Sequence, residues 1–316
     1  MHINKPLTGE TAFRNIFQIM NPTTDREPVE GFVEVPEGRL HHLDWGGGGP
    51  QIHFLHANGF CAGTYTPFLR YLMADFHVFA SDVRGHGSSS VSGAPRIRHW
   101  DIFANDLKLT IEKAMTPPII GMGHSLGAVT TCIAAAKYPR LFNALVLIDP
   151  VIFPQKFLWR MAVMKILGLR SAIGPARMAR KRKRVFKDKQ TALRRFAEGR
   201  GIFTSWSKDF IEAYLECGLL EKNTHSAILK CDPELEAQIF ESVPLNVWSY
   251  VKKISCPVFV VRGEASETFS RQAANRIKAV RPEFELQEIP RSGHFVPMEQ
   301  PQACARVILK FLRKQN

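Results

Sequence analysis

Ile119-Ile120-Gly121-Met122-Gly123-His124-Ser125-Leu126-Gly127-Ala128 decides how this chain is read. An apolar run ends in a Gly-x-Ser-x-Gly pentapeptide, and the small residues from Ala128 to Lys137 suit a helix, so the stretch reads strand, tight turn, helix. A turn that sharp forces its central residue into strained backbone geometry, and the positions two before and two after it have no room for a Cβ. Gly123 and Gly127 meet that need. Ser125 is then held at the carboxyl edge of a sheet with its hydroxyl exposed. The amide of Leu126, at a helix N-terminus, points to where negative charge would develop.

A serine hydroxyl becomes a useful nucleophile only when a base takes its proton, so the reading calls for a histidine, an orienting acid and a second oxyanion donor. Among eleven histidines, His294 has the right setting: Pro290-Arg291-Ser292-Gly293-His294-Phe295 follows the alternating stretch Phe284 to Ile289 and precedes a helix from about Gln302 to Lys314. That puts His294 on a loop at a strand's carboxyl end.

Outward from these two points, strands and helices alternate. Gly31 to Pro36 and Leu40 to Trp45 predict an antiparallel hairpin turning at Glu37-Gly38; Ile52 to Leu55, His77 to Ala80 and Ala144 to Ile148 predict parallel strands; Thr64 to Met73 and Asp101 to Ala114 predict helices. The class is therefore α/β, a mostly parallel sheet with helices on both faces. After Asp149-Pro150 the rhythm stops until Ile254-Ser255-Cys256-Pro257, and 152–246 reads as a helical cap. Residues 1–29 form an extension, in which Phe13, Ile16, Phe17 and Met20 have the spacing of a short amphipathic helix. The core comprises 30–151 and 247–316.

Four marks in order carry a resemblance: His56-Ala57-Asn58-Gly59-Phe60, Asp82-Val83-Arg84-Gly85-His86-Gly87, the serine turn and the histidine loop. Over residues 30 to 151 and 247 to 314 the chain resembles an α/β-hydrolase fold enzyme with the chain order Ser, acid, His. The resemblance implies an eight-stranded sheet and makes the amide of Asn58 the partner of Leu126 in an oxyanion hole, with Ala57 standing where the family has glycine. It places the acid three residues after the glycine of Val258 to Gly263, which is Ser266 in this chain. A longer carboxylate can bridge a one-residue offset, so Glu267 ranks first, Asp149 at the end of the preceding strand second and Glu264 third. The Asp82 to Gly87 loop is expected to be structural, with Asp82, Arg84 and His86 satisfying one another and the turn.

Serine rather than aspartate at the nucleophile position argues against dehalogenase and epoxide hydrolase chemistry. The expected activity is hydrolysis of a carboxylic ester with a medium-sized apolar acyl or aryl group; thioesters, lactones and carbon–carbon bonds of diketones use the same constellation, and a non-catalytic binder could keep the fold. Phe60, His124, Phe153, Phe157, Trp159 and Phe295 are candidates for the substrate wall. No metal or cofactor is implied, since neither a phosphate loop nor a ligand cluster appears. The six cysteines are scattered, no apolar run approaches the roughly 20 residues that span a bilayer, and no secretory segment opens the chain, so a soluble cytoplasmic protein with reduced thiols is expected.

The formal charge of +13 is local, since residues 160–200 hold 14 Lys or Arg and two acids. Arg177-Met178-Ala179-Arg180-Lys181-Arg182-Lys183-Arg184-Val185-Phe186-Lys187 reads first as a solvated helix face and second as a contact for an anionic membrane surface or substrate. Nucleic acid is not expected, because nothing else resembles a base-reading module. Oligomeric state is not legible.

Overall fold

The computed structural model describes residues 26–92, 96–198, 201–223 and 226–315. The amphipathic spacing at Phe13 to Met20 lies outside them. Eight strands form one sheet: β1 (Val29–Val35), β2 (Gly38–Gly46), β3 (Gln51–Leu55), β4 (His77–Ser81), β6 (Ile119–His124), β7 (Phe142–Ile148), β11 (Val258–Gly263) and β12 (Glu285–Ile289). Their order is β1-β2-β4-β3-β6-β7-β11-β12, and a two-residue strand, β5 (Ser90–Val91), pairs with β2. The first hairpin is antiparallel, β2 runs antiparallel to β4, and every pairing from β4 onward is parallel.

Parallel strands need both faces covered, and β6 and β11 are buried throughout. One face packs under the helix Pro301–Leu312, whose Ile308, Leu309 and Phe311 join Phe54, Met122 and Val146 in a common core. The other lies under the helices Asp101–Ala114, Leu126–Lys137 and Arg271–Val280, where Phe103, Ile133 and Ile277 meet Leu145 and Val260. The predicted helix over 64–73 is instead a 3-10 turn, Ala62–Tyr65, running into one helical turn, Thr66–Leu69.

Between β7 and β11 the chain builds a separate layer. Helices Gln155–Ile166, Gly174–Arg180, Lys189–Ala197, Lys208–Gly218 and Pro233–Glu241 account for most of it, but it is not purely helical. β8 (Val185–Phe186), β9 (Leu219–Asn223) and β10 (Ser226–Leu229) make a small antiparallel sheet in the order β8-β10-β9. Its interior is aromatic, with Phe186, Phe196, Phe203, Trp206 and Tyr214 in successive ring contacts that reach Phe60 and Phe295 of the core.

Three arginines of the basic run are paired inside this layer. Arg180 pairs with Glu234 and Glu241, Arg182 with Glu236 and the Tyr214 hydroxyl, and Arg184 with Asp232. All four acids lie in the segment Asp232 to Glu241, where the Asp232 side chain also caps the helix from Pro233. No helix among the described residues is long and apolar enough to cross a membrane.

Candidate active site

Ser125 sits between β6 and the helix Leu126–Lys137 with φ 55° and ψ −112°, a conformation that L residues rarely adopt. Two glycines make it possible. A Cβ on Gly123 would lie 2.4 Å from the carbonyl carbon of Gly127, and one on Gly127 would lie 2.0 Å from the carbonyl oxygen of Leu55. The turn is tied to the neighbouring strand by Ser125 N–H, which donates to the Ile148 carbonyl at 3.0 Å.

The loop after β12 brings His294 over the serine, with Nε2 2.9 Å from Ser125 Oγ. On the other side of the ring, Nδ1 is 2.7 Å from Asp149 Oδ1. Asp149 directly follows β7 and is fully buried. Its Oδ1 also accepts from the Ser266 hydroxyl at 2.6 Å, and its Oδ2 accepts from Gly263 N–H at 2.9 Å. Three donors around one buried carboxylate fix its direction. An acceptor at Nδ1 puts the proton there, which leaves Nε2 free to receive one from Ser125.

This geometry corrects the ranking of acids. Glu267 has no hydrogen bond to His294 and instead stands in the wall of the cavity above it; Glu264 accepts from Arg291 N–H at 3.0 Å. Ser266, at the position where the resemblance puts the acid, donates to the carboxylate supplied by the adjacent strand.

Behind the site runs a buried chain of hydrogen bonds whose directions are determined by its ends. A carbonyl only accepts, so His124 Nε2–H donates to the His294 carbonyl at 2.8 Å. Burial, followed by the charge of His294, holds His124 well below the ordinary imidazole value, so it is neutral and its Nδ1 accepts from the Tyr65 hydroxyl at 2.7 Å. The Tyr65 oxygen in turn accepts from Ala57 N–H at 3.2 Å. The other side of the same loop is held by His56, whose Nε2 accepts from Val83 N–H at 2.8 Å while Nδ1–H donates to the Ala57 carbonyl at 2.7 Å. Both faces of the residue before Asn58 are thereby fixed, and the Asn58 side chain donates to the Glu236 carbonyl of the cap at 3.0 Å. The Leu126 amide opens its helix, where amides have no intrahelical acceptor.

A cavity of about 810 Å³ opens over Ser125 and His294. Phe60, Phe153, Phe157, Met161, Phe240 and Phe295 supply apolar wall, and Lys156, Arg160 and Glu267 contribute charge. Two expected wall residues are elsewhere. His124 is fully buried behind the site, in the chain of bonds just described, and Trp159 points outward at 69% exposure. Phe240 was not anticipated, because which side of a cap helix faces the cavity depends on its docking.

The Asp82 to Gly87 loop is structural as expected in part, since Asp82 serves the turn and His86 Nδ1 lies 3.2 Å from the Arg84 carbonyl, but the Arg84 side chain is used elsewhere. Asp82 accepts from Ala62 and Ser88 amides and from His41, whereas Arg84 forms a bidentate pair with Asp106. Among the described residues there is no group of three or more His, Cys, Asp or Glu that could hold a metal ion.

Comparison with known proteins is consistent with this architecture. The profile of the alpha/beta hydrolase family matches residues 54–307. A 2-(acetamidomethylene)succinate hydrolase from Mesorhizobium japonicum is 26% identical over 269 residues, 84% of this chain and 89% of that protein. The crystal structure of an E-2-(acetamidomethylene)succinate hydrolase superposes with a TM-score of 0.73 at 23% identity, covering 90% of this chain and 99% of that one. An esterase from Mycobacterium tuberculosis superposes with a TM-score of 0.66 at 20% identity, covering 99% and 100%.

Proposed function

We propose, from the premise that this chain belongs to the alpha/beta hydrolase family, that it is a serine hydrolase of carboxylic esters with an apolar acyl or aryl group. The reading rests on one observation: Ser125 Oγ, His294 and Asp149 form a continuous line of contacts at 2.9 and 2.7 Å beneath an apolar cavity. In the proposed reaction Ser125 Oγ attacks the ester carbonyl carbon while its proton passes to His294 Nε2. The carbonyl electrons move onto oxygen, and the amides of Leu126 and Asn58 stabilise that oxyanion. Asp149 remains ionised and stabilises the imidazolium. Collapse of the intermediate expels the alkoxide, which takes the proton from His294. Water then gives a proton to His294 Nε2 and attacks the acyl carbon, and the second tetrahedral intermediate expels Ser125 Oγ, which recovers the proton from His294 as the carboxylic acid leaves.

Labelling by a fluorophosphonate probe tests the nucleophile. Modification at Ser125 that disappears in Ser125→Ala is expected, and an unlabelled purified protein would point to a non-catalytic binder. Turnover of a series of p-nitrophenyl esters tests the substrate: a maximum at medium chain length supports an apolar acyl group. Thioester and amide counterparts belong in the same panel, because a structurally similar protein is a thioesterase domain and the Mesorhizobium relative is a hydrolase of 2-(acetamidomethylene)succinate. Faster turnover of either would move the assignment away from esters.

A further inference from the structure

One helix of the cap, Gln155–Ile166, looks two ways. Phe157 and Met161 line the cavity, and Leu158 and Met161 are buried. At roughly 100° per residue, Ile166, Trp159, Val163, Lys156 and Arg160 succeed one another around a separate arc about 120° wide. The following turn folds back on the helix end, since Leu167 N–H donates to the Val163 carbonyl and Leu169 N–H to the Met164 carbonyl. Trp159, Val163, Ile166, Leu167 and Leu169 are 69, 55, 83, 64 and 50% exposed. Isolated apolar side chains at a surface are ordinary, but a contiguous ridge of five marks an interaction site.

Charge says what kind. Lys156 and Arg160 stand on the border between ridge and cavity, and neither has an ion pair among the described residues. Arg180, Arg182 and Arg184, by contrast, are neutralised within the cap. A second copy of the chain meeting the ridge about a twofold axis would bring like cations together. The stretch 1–25 has two bases, Lys5 and Arg14, against two acids, Glu10 and Asp25, and so offers no net counter-charge. The exposed indole adds direction, because tryptophan favours the boundary between water and lipid. Trp45, Trp100, Trp206 and Trp248, the remaining tryptophans, are at most 7% exposed.

We propose that this ridge docks on an anionic phospholipid surface. Trp159, Val163, Ile166 and the turn residues Leu167 and Leu169 enter the acyl boundary, while Lys156 and Arg160 meet lipid phosphates. Because Phe157 and Met161 of the same helix wall the cavity, docking sets the cavity mouth at the lipid surface. The inference does not require Ser125 to be a nucleophile.

Flotation of the full chain with phosphatidylcholine vesicles, pure or containing about 30% phosphatidylglycerol, tests it. At least about tenfold tighter binding to the anionic vesicles is expected, weakening by about tenfold or more between roughly 50 and 500 mM salt. Lipids brominated in their chains should quench the tryptophan emission, and Trp159→Phe should abolish that quenching. Val163→Ser with Ile166→Ser should weaken binding by about tenfold or more while leaving the circular dichroism and the turnover of a short soluble ester unchanged. Ser125→Ala should bind as tightly as the parent, which separates failure of docking from failure of the proposed chemistry. Any one of four results overturns the proposal: no flotation at low salt; flotation that survives Val163→Ser with Ile166→Ser and lacks quenching; a dimer in solution that those substitutions dissolve; or binding that appears only after deletion of residues 1–25.

Discussion

Around the serine turn, the side chains of His124, Ser125 and Asp149 are buried and find their donors and acceptors among strand ends and loops of the core. Across the cavity, the cap holds its arginines nearer the solvent, against acids on a single helix. Arg180 and Glu234 have side chains 31 and 53% exposed, and Arg184 and Asp232 are 44 and 42% exposed, whereas Asp149 is fully buried. The core therefore fixes geometry through contacts that tolerate no replacement, and the cap fixes position through pairs that water screens. Arg182 belongs to the first kind although it lies in the cap, since it and Glu236 are 23 and 9% exposed and Asn58 bonds to the backbone of the same Glu236.

Substitutions can break this contrast. Ser125→Ala should lower kcat by about 10⁴ to 10⁶-fold with the fold intact, measured on a p-nitrophenyl ester. Asp149→Asn should cost about 10⁴-fold, while Glu267→Gln should cost less than roughly tenfold in kcat; the reverse order would restore Glu267 as the acid. Gly123→Ala forces a Cβ to 2.4 Å from backbone and should destabilise by about 4 kcal/mol or more in denaturant unfolding. Gly174→Ala in the cap has nothing within 4 Å of the new Cβ and should be neutral or slightly stabilising. Within the cap, Arg182→Met should cost about 3 kcal/mol by stranding a buried carboxylate, and Arg184→Met less than about 1 kcal/mol.

The smallest expected effect is one of pH. Burial pulls His41 down, but its hydrogen bond to Asp82 and the charges of Asp82 and Glu30 outweigh that and raise it above the ordinary 6.5. For Asp82, burial pushes up, and the bonds and charges of His41 and His56 together with the Ala62 amide leave it below the ordinary 3.8. A raised histidine stabilises fully below 6.5 and loses that contribution as pH rises through its folded value; a depressed carboxylate stabilises fully above 3.8 and loses it as pH falls through its own. His41→Gln should therefore cost most near pH 5.5 and less near pH 8.5. Arg180→Met should cost the same at both, because Glu234 is held low and Arg180 high by their bond.

The serine turn and the histidine loop were legible because each needs particular residues at particular offsets: glycines on either side of Ser125, and a strand end before His294. The acid was not, since its identity depends on which strands are neighbours. β7 and β11 are far apart in sequence yet pair in parallel, which carries Asp149 beneath His294 and lets Ser266 serve as its donor. Tyr65 escaped notice for the same reason, its partners lying 8 and 59 residues away. In the cap, a strand of two residues, Val185–Phe186, leaves no periodicity to detect, and only docking decides that Phe157 turns inward and Trp159 outward.

Asp149 is also the residue from which the chain departs for the cap. Its φ is 38°, Pro150 follows, and Val151 already lines the cavity. The two halves of the molecule are thus joined through the backbone of the group that steadies His294. A tug applied to the first cap helix would reach that carboxylate before it loosened any strand, so mechanical or proteolytic injury to the cap should silence the enzyme while the sheet is still whole.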